Sequence, residues 1–241
     1  MNAPRKPAGS LILIPTNLAT PFDPASTLPV AHLATVRSTS RFVAENAKTA
    51  RAFLKAVDMG RPMVEIHIDE LRANTPATDL VRFLEPIREG IDVGLMSEAG
   101  APAVADPGAA LVEAAHRASV RVVPLIGPSA ILLSVMASGL NGQNFAFHGY
   151  LPSDPAGRVK SIQELERESK SRRCTQLFIE TPYRNQVLLA DLLKTLAPTT
   201  RLCIAIDLTG NSERIVQASV ADLRRAPPQL PKAPAMFLFQ A

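Results

Sequence analysis

The chain has 241 residues, 46% hydrophobic and 20% charged, which suits one large or two ordinary globular domains, and no apolar run approaches the roughly 20 residues that cross a bilayer. A formal charge of +4 and a pI near 9.3 permit a phosphate-bearing partner without requiring one. Cys174 and Cys203 are too few for a disulfide framework or a four-ligand zinc site and read as core thiols in a reducing compartment.

The N-terminus is basic but lacks the apolar stretch and small-residue cleavage site of a signal peptide, so a cytoplasmic location is expected. Residues 11–14 form a first buried strand closed by Pro15, and the loop that follows, residues 16–29, is long enough to suggest a functional role. A short helix over residues 30–36 and a strand over 41–44 come next. Ala47, Ala50, Phe53, Leu54 and Val57 then recur at helical spacing, with Gly60 as a C-terminal stop. Residues 63–68 read as a third strand and residues 78–88 as a helix that Pro86 bends or ends early.

Residues 91–96 read as a strand, 97–108 as a loop holding Gly100, Pro102, Pro107 and Gly108, and 109–118 as a helix. Asp106 and Pro107 fit an N-cap followed by proline at the first helical position. A strand over 120–126, the loop Gly127, Pro128, Ser129, and a helix over 130–138 ended by Gly139 repeat the pattern. Successive β-loop-α units predict a parallel sheet with right-handed crossovers. Beyond Asn141 the rhythm becomes mixed, with strands at 145–150, 175–179, 202–207, near 215–216, and 236–239. Helices are expected at 158–170 and 186–196, and a Pro-rich loop spans 226–234. The expected fold class is therefore α/β in two domains: an N-terminal, mostly parallel sheet flanked by helices over residues 1–126, and a C-terminal mixed α+β domain over 127–241.

Several chemistries are absent from this pattern. No G-x-G-x-x-G opens a helix, and no phosphate-cradling lysine loop is present. Ser129 sits in GPSAI, without the second glycine of a nucleophile elbow. His32, His67, His116 and His148 lie on different elements with no metal-ligand spacing, so no metal is expected. The basic residues Lys170, Arg172, Arg173, Arg224 and Arg225 have no aromatic residues interleaved, which argues against a stacking platform for single-stranded nucleic acid. What remains is a set of small-residue loops at strand carboxyl ends: residues 15–17, 45–48, 97–103, 127–130 and 181–184. Small side chains let a ligand approach the backbone, and a carboxylate such as Glu98 can accept hydrogen bonds from ribose or ammonium groups.

These loops carry a resemblance. SEAGAPAVADPG at residues 97–108 is similar to the S-D-A-G-T-P-x-x-S-D-P-G signature of the tetrapyrrole (corrin and porphyrin) methylase superfamily, in particular the branch that methylates ribose 2′-oxygens of small-subunit ribosomal RNA. In the same order, VAENAKTARAFL resembles A-E-D-T-R-x-T-x-x-L, PLIGPSA resembles P-x-P-G-P-S-A, FAFHGYLP resembles F-x-F-x-G-F-L-P, and IETPYRN resembles Y-E-A-P-H-R. The matches run from about Phe42 to Asn185.

The resemblance implies an S-adenosyl-L-methionine-dependent methyltransferase, usually a homodimer, with the cofactor folded into a cleft between two α/β domains. Carried over by motif, Glu98 and the backbone of Gly100 and Ala101 hold the ribose and amino-acid portions. Ser129, Ala130 and Thr181 line the other side, with Ala205 and Met236 from the later strands. Asn17, Tyr183 and Arg184 face the acceptor, ribosomal RNA or the small subunit, and Glu45 and Lys48 stand in the loop suited to acceptor chemistry. Three departures bear on the acceptor. The loop after the first strand, PTNLATPFDPA, has no glycine; Glu98 replaces Asp; and Asn46, Ala47 and Lys48 replace Asp-Thr-Arg. They leave open a corrin- or porphyrin-type small-molecule methylase, or a cofactor-binding protein without turnover.

Overall fold

In the computed structural model, which describes residues 8–21 and 23–241, the chain divides into two compact units, Met1–Ser129 and Ala130–Ala241. The basic start of the chain, residues 1–7, and Phe22 of the first loop lie outside the described residues.

The first unit is built on β1 (Ser10–Ile14), β2 (Arg41–Ala44), β3 (His67–Glu70), β4 (Val93–Met96) and β5 (Arg121–Pro124). They form one sheet in the order β3-β2-β4-β1-β5, parallel at every pairing. Because side chains alternate along a strand, each strand feeds two cores. Ile12, Ile14, Phe42, Ala44 and Met96 pack with α2 (Val30–Ser38) and α3 (Ala47–Val57). Leu11, Val43, Val93 and Leu95 pack on the other face with α4 (Ala77–Phe83), α5 (Glu85–Arg88) and α6 (Gly108–Arg117). Gly94 is confined to glycine by this packing, since a Cβ there would lie 2.7 Å from both Ile14 Cδ1 and Phe42 Cδ1.

Local expectations shift where tertiary contacts decide. Residues 63–68 are not one strand: Met63–Glu65 is a 3-10 turn after Pro62, and β3 starts at His67 because that residue registers with Arg41 of β2. The expected helix over 78–88 is split into α4 and α5, with Pro86 in the first turn of the second piece, where its missing N–H is tolerated. Asp58, before Gly60, already takes the left-handed conformation at the end of α3. The four-residue α1 (Pro24–Thr27) was not anticipated; Asp23 caps it.

The second unit contains α7 (Ala130–Ser138), β6 (Phe145–Tyr150), α8 (Pro155–Arg172), β7 (Thr175–Glu180), α9 (Asn185–Thr195), β8 (Arg201–Ile206), β9 (Arg214–Ser219), α10 (Val220–Arg225) and β10 (Ala235–Gln240). Its sheet runs β6-β7-β10-β8-β9. The β6-β7 pair is parallel and the rest antiparallel. Its core gathers Phe178, Phe237, Phe239, Ile204 and Ile206 with the leucines of α9. Phe178 stacks on Phe237 at 6.1 Å between centroids and meets Phe239 edge-on at 5.9 Å, both favourable aromatic geometries. Arg158 is buried and ties the start of α8 to α9 through Asp191, with Nε donating at 2.6 Å. Its Nη1 donates to the carbonyls of Pro152 and Ser153. Helix α10, with Ser219 as its cap, was not anticipated from the sequence.

Candidate active site

In the first unit the chain leaves β1 toward β2 on one side of the sheet and leaves β4 toward β5 on the other. The crevice between β1 and β4 is therefore the switch point at which open α/β sheets bind ligands. The two loops close on each other there. Thr16 N–H donates to Gly100 O at 2.9 Å and Gly100 N–H returns a bond to Thr16 O at 3.2 Å. The Ser97 hydroxyl donates to Gly100 O at 2.9 Å, and the Thr16 hydroxyl to Ser97 O at 3.3 Å. Gly100 has φ +75, and a Cβ would press on Leu18 at 3.0 Å, so the position calls for glycine. The loop after β5 joins them, with Gly127 against Pro15, whose Cβ lies 2.5 Å from where a Gly127 Cβ would stand. Ser129, half-buried, follows at the end of this loop.

Beyond Gly100 the loop holds two alanines, Ala103 and Ala105, at φ 65 and φ 60. Left-handed alanine costs about 1–3 kcal/mol, so something must hold it. Asp106 does so: its Oδ1 accepts the Ala103 N–H at 2.9 Å and the Gly108 N–H at 2.7 Å. The helix begins at Gly108 with Pro107 in the cap position, one residue later than Asp106 as N-cap and Pro107 as first helical residue would give. Asp106 nevertheless satisfies the first helical N–H.

Glu45 follows β2 directly. Its carboxyl is raised above the ordinary glutamate value by burial first, then by the charges of Glu98 and Asp106, while the Glu98 N–H donates to it and opposes the shift. Asp106 is also raised, by burial, against its two backbone donors. Asn46 caps α3 by accepting the N–H groups of Lys48 at 2.9 Å and Thr49 at 3.4 Å. Lys48 is exposed in that first turn, and Glu98 is exposed beside it in sheet order. A cavity of about 160 Å³ opens here, lined among others by Thr16, Asn17, Thr49, Phe53, Ser97 and Glu98. Asn17 donates to Ala19 O at 2.9 Å. The structure thus brings Asn17, Glu98 and Gly100 to one edge with Glu45. Thr49 and Phe53 were overlooked as lining residues, although their i, i+4 spacing places both on one face of α3.

In the second unit, the loop after β7 carries the other expected residues. Glu180 is buried and its Oε1 accepts the Thr181 N–H at 2.7 Å. Arg184 Nη2 lies 2.8 Å from Glu180 Oε2, but the angles leave neither atom in a formed hydrogen bond. This ion pair turns Arg184 toward the protein. Tyr183, in contrast, is 81% exposed. Ala205 and Met236 are cross-strand neighbours, and both are buried. They lie one residue in from the edge at which Glu180, Ile206 and Ala235 meet. Ala130 opens α7.

The remaining reactive side chains have separate duties. Both cysteines are buried and free, and burial pushes the Cys203 thiol up to about 11, which leaves it unreactive near neutral pH. His32 meets the backbone of Ile126, His67 pairs with Asp69, and His148 meets Gln176. Among the described residues, no group of three or more His, Cys, Asp and Glu side chains is arranged to hold a metal ion, and no helix is long and apolar enough to cross a membrane.

No protein-family model matches the chain. Among curated proteins, a ribosomal RNA small subunit methyltransferase I of Mycobacterium tuberculosis (strain ATCC 25618 / H37Rv) is 32% identical over 216 residues, 90% of this chain and 72% of that protein. Its counterpart in Pasteurella multocida (strain Pm70) is 30% identical over 208 residues, 86% and 71% of the two chains. That of Xylella fastidiosa (strain Temecula1 / ATCC 700964) is 30% identical over 189 residues, 78% of this chain and 66% of that protein. This chain therefore spans about two thirds or somewhat more of the length of these relatives. Among solved structures, a uroporphyrin-III-C-methyltransferase from Thermus thermophilus superimposes with a TM-score of 0.54 at 18% identity, covering 96% of this chain and 92% of that one. That likeness establishes the tetrapyrrole-methylase fold.

Proposed function

The chain belongs to the ribosomal RNA small subunit methyltransferase I family, and from that membership we propose that it transfers the methyl group of S-adenosyl-L-methionine to a ribose 2′-oxygen of small-subunit ribosomal RNA. We propose that it does so as a cytoplasmic homodimer. The observation that carries the reading is the carboxyl edge of the first sheet, where a rigid small-residue loop, an exposed Glu98 and a buried-side Glu45 converge.

The residues present fit the cofactor. Residues 99–103 are alanine, glycine and proline, so the backbone is bare, and Glu98 offers a carboxylate to hydroxyl or ammonium donors. The 160 Å³ cavity beside it is smaller than pockets that enclose a whole ligand and suits one end of a larger molecule. On this reading Glu98, Gly100, Ala101, Ser129, Ala130, Thr181, Ala205 and Met236 form the cofactor site, and Asn17, Tyr183 and Arg184 attend the acceptor. Arg184 acts mainly by bracing the loop through Glu180.

When bound, the cofactor supplies a methyl group already activated as a sulfonium, so the protein's share is alignment and removal of one proton. Glu45 is the base. Its raised proton affinity brings it closer to the range in which a carboxylate takes a hydroxyl proton at neutral pH. Lys48, on the first turn of α3, offers a cation to the phosphate beside the acceptor ribose. The homodimer draws support from α7, where Leu132 and Met136 stand 55% and 77% exposed on an almost wholly apolar helix.

The test is incubation of the protein with labelled cofactor and under-methylated small ribosomal subunits. Label in the RNA at a linkage that resists alkaline cleavage, as a 2′-O-methylated linkage does, is the expected result. Label on a base, or on a tetrapyrrole alone, refutes the ribose assignment.

A further inference from the structure

The loop between α10 and β10, residues 226–234, carries prolines at 227, 228, 231 and 234 and is held at several points. Asn185 Nδ2 donates to Ala233 O at 2.7 Å, Leu230 N–H donates to Gln186 Oε1 at 3.1 Å, and Asp207 N–H donates to Pro234 O at 2.9 Å. Arg214 Nη1 approaches Gln229 O at 3.5 Å. Leu230 and Ala233 pack against the core of the second unit. A loop with four fixed φ angles and this many anchors loses little entropy on binding.

Its one charged side chain is Lys232, and the anchoring sets the Lys232 ammonium 5.7 Å from the centroid of the Tyr183 ring, within cation–π range. Tyr183 is 81% exposed on the loop after β7, against which the Pro-rich loop lies. Arg214 stands exposed at the start of β9, its side chain on the same loop. An exposed aromatic ring with one cation over a face and a second cation anchored on the same loop offers the groups that hold a single-stranded nucleotide, base on ring and phosphate on cation. The linear sequence argues against such a platform because its basic runs contain no aromatics. The fold brings Tyr183 and Lys232 together from positions distant in the chain.

We propose that Tyr183, Lys232 and Arg214 form a nucleotide-binding platform on the second unit, which stacks an unpaired RNA base on Tyr183 and neutralises its flanking phosphates with Lys232 and Arg214. The inference rests on the RNA reading above and adds to it Lys232, Arg214 and the rigid loop that presents Lys232. It predicts recognition by stacking, with little dependence on which base is stacked.

The experiment measures two quantities on the full chain. The affinity of a fluorescent single-stranded RNA 12-mer is read by anisotropy across a salt series, and steady-state methylation of under-methylated small subunits gives KM and kcat. For Tyr183→Ala, oligonucleotide affinity falls about 5- to 100-fold and KM for subunits rises alike, while Tyr183→Phe and Tyr183→Trp stay near the parent. For Lys232→Ala, affinity falls and the salt slope loses about one unit. Affinity for S-adenosylhomocysteine, measured by calorimetry, serves as the control for a folded protein. If the parent methylates subunits but Tyr183→Ala binds the oligonucleotide and the subunits as the parent does, the platform is overturned and the RNA reading survives. If the parent methylates no RNA, the RNA reading fails, and the oligonucleotide series still decides the platform.

Discussion

Replacing Asp106 by alanine removes the one side chain that fixes the strained part of the loop after β4. Its Oδ1 accepts two N–H groups, from Ala103 at 2.9 Å and Gly108 at 2.7 Å. Hydrogen bonds to a charged acceptor contribute about 1.5–3 kcal/mol each. Against that gross gain stands the cost of burying the carboxylate, visible as the upward displacement of its proton affinity, which the substitution relieves. The net loss is therefore about 2–3 kcal/mol rather than the full sum of two bonds. Without the anchor, Ala103 and Ala105 leave the left-handed region and the first turn of α6 frays, so the backbone around Gly100 and Ala101 loses its shape. Urea unfolding measures the stability term. Hydrogen exchange at the amides of Ala103 and Gly108 reads the local term, and calorimetry with S-adenosylhomocysteine reads the consequence, an affinity about tenfold lower or worse. Asp106→Asn keeps an acceptor oxygen at the same place and retains most of all three. Stability within about 0.5 kcal/mol of the parent, the scatter of ordinary surface substitutions, together with unchanged exchange at both amides, would refute the claim that Asp106 holds the loop.

Glu45→Gln lowers kcat about 100- to 10,000-fold, the range for loss of a general base, in the subunit methylation assay. It does not lower stability. The folded state binds the Glu45 proton more tightly than the unfolded chain, so this group's contribution falls as pH rises from the ordinary glutamate value through the raised one and is lost above it. Urea midpoints at neutral pH should therefore match or exceed the parent's. The parent's rate, in turn, rises with pH through the raised value as the base ionises, and the variant lacks that limb. Arg158→Ala leaves Asp191 without its partner and frees two loop carbonyls, and should cost about 3 kcal/mol by urea unfolding. Adding Asp191→Ala should recover part of the loss, and a further additive loss would argue against the pairing.

Much of the fold is legible in the residues. The short apolar runs of β1 and β4, the helical spacing of Ala47, Phe53, Leu54 and Val57, and Gly139 after α7 each mark an element locally, because run length, helical periodicity and a stop residue act over a few positions. The loop at residues 97–108 is legible in the same local way, since its glycine and the Asp-Pro-Gly that opens α6 answer to backbone geometry a few residues away. Tertiary contacts decide the rest. β3 begins at His67 through its register with β2, although the more apolar Met63 and Val64 precede it; Val64 stays exposed. Glu45 acquires its raised proton affinity first from burial and then from Glu98 and Asp106, which come near because β2 and β4 are neighbours. Arg184, which the motif sets toward the acceptor, is paired with buried Glu180, a contact that no local pattern announces. Tyr183 and Lys232 share no local pattern and meet because β10 returns antiparallel beside β7. Periodicity and turn chemistry act over a few residues and are written in the chain; charge, burial and approach depend on which strands become neighbours, and that is settled only when the sheets form.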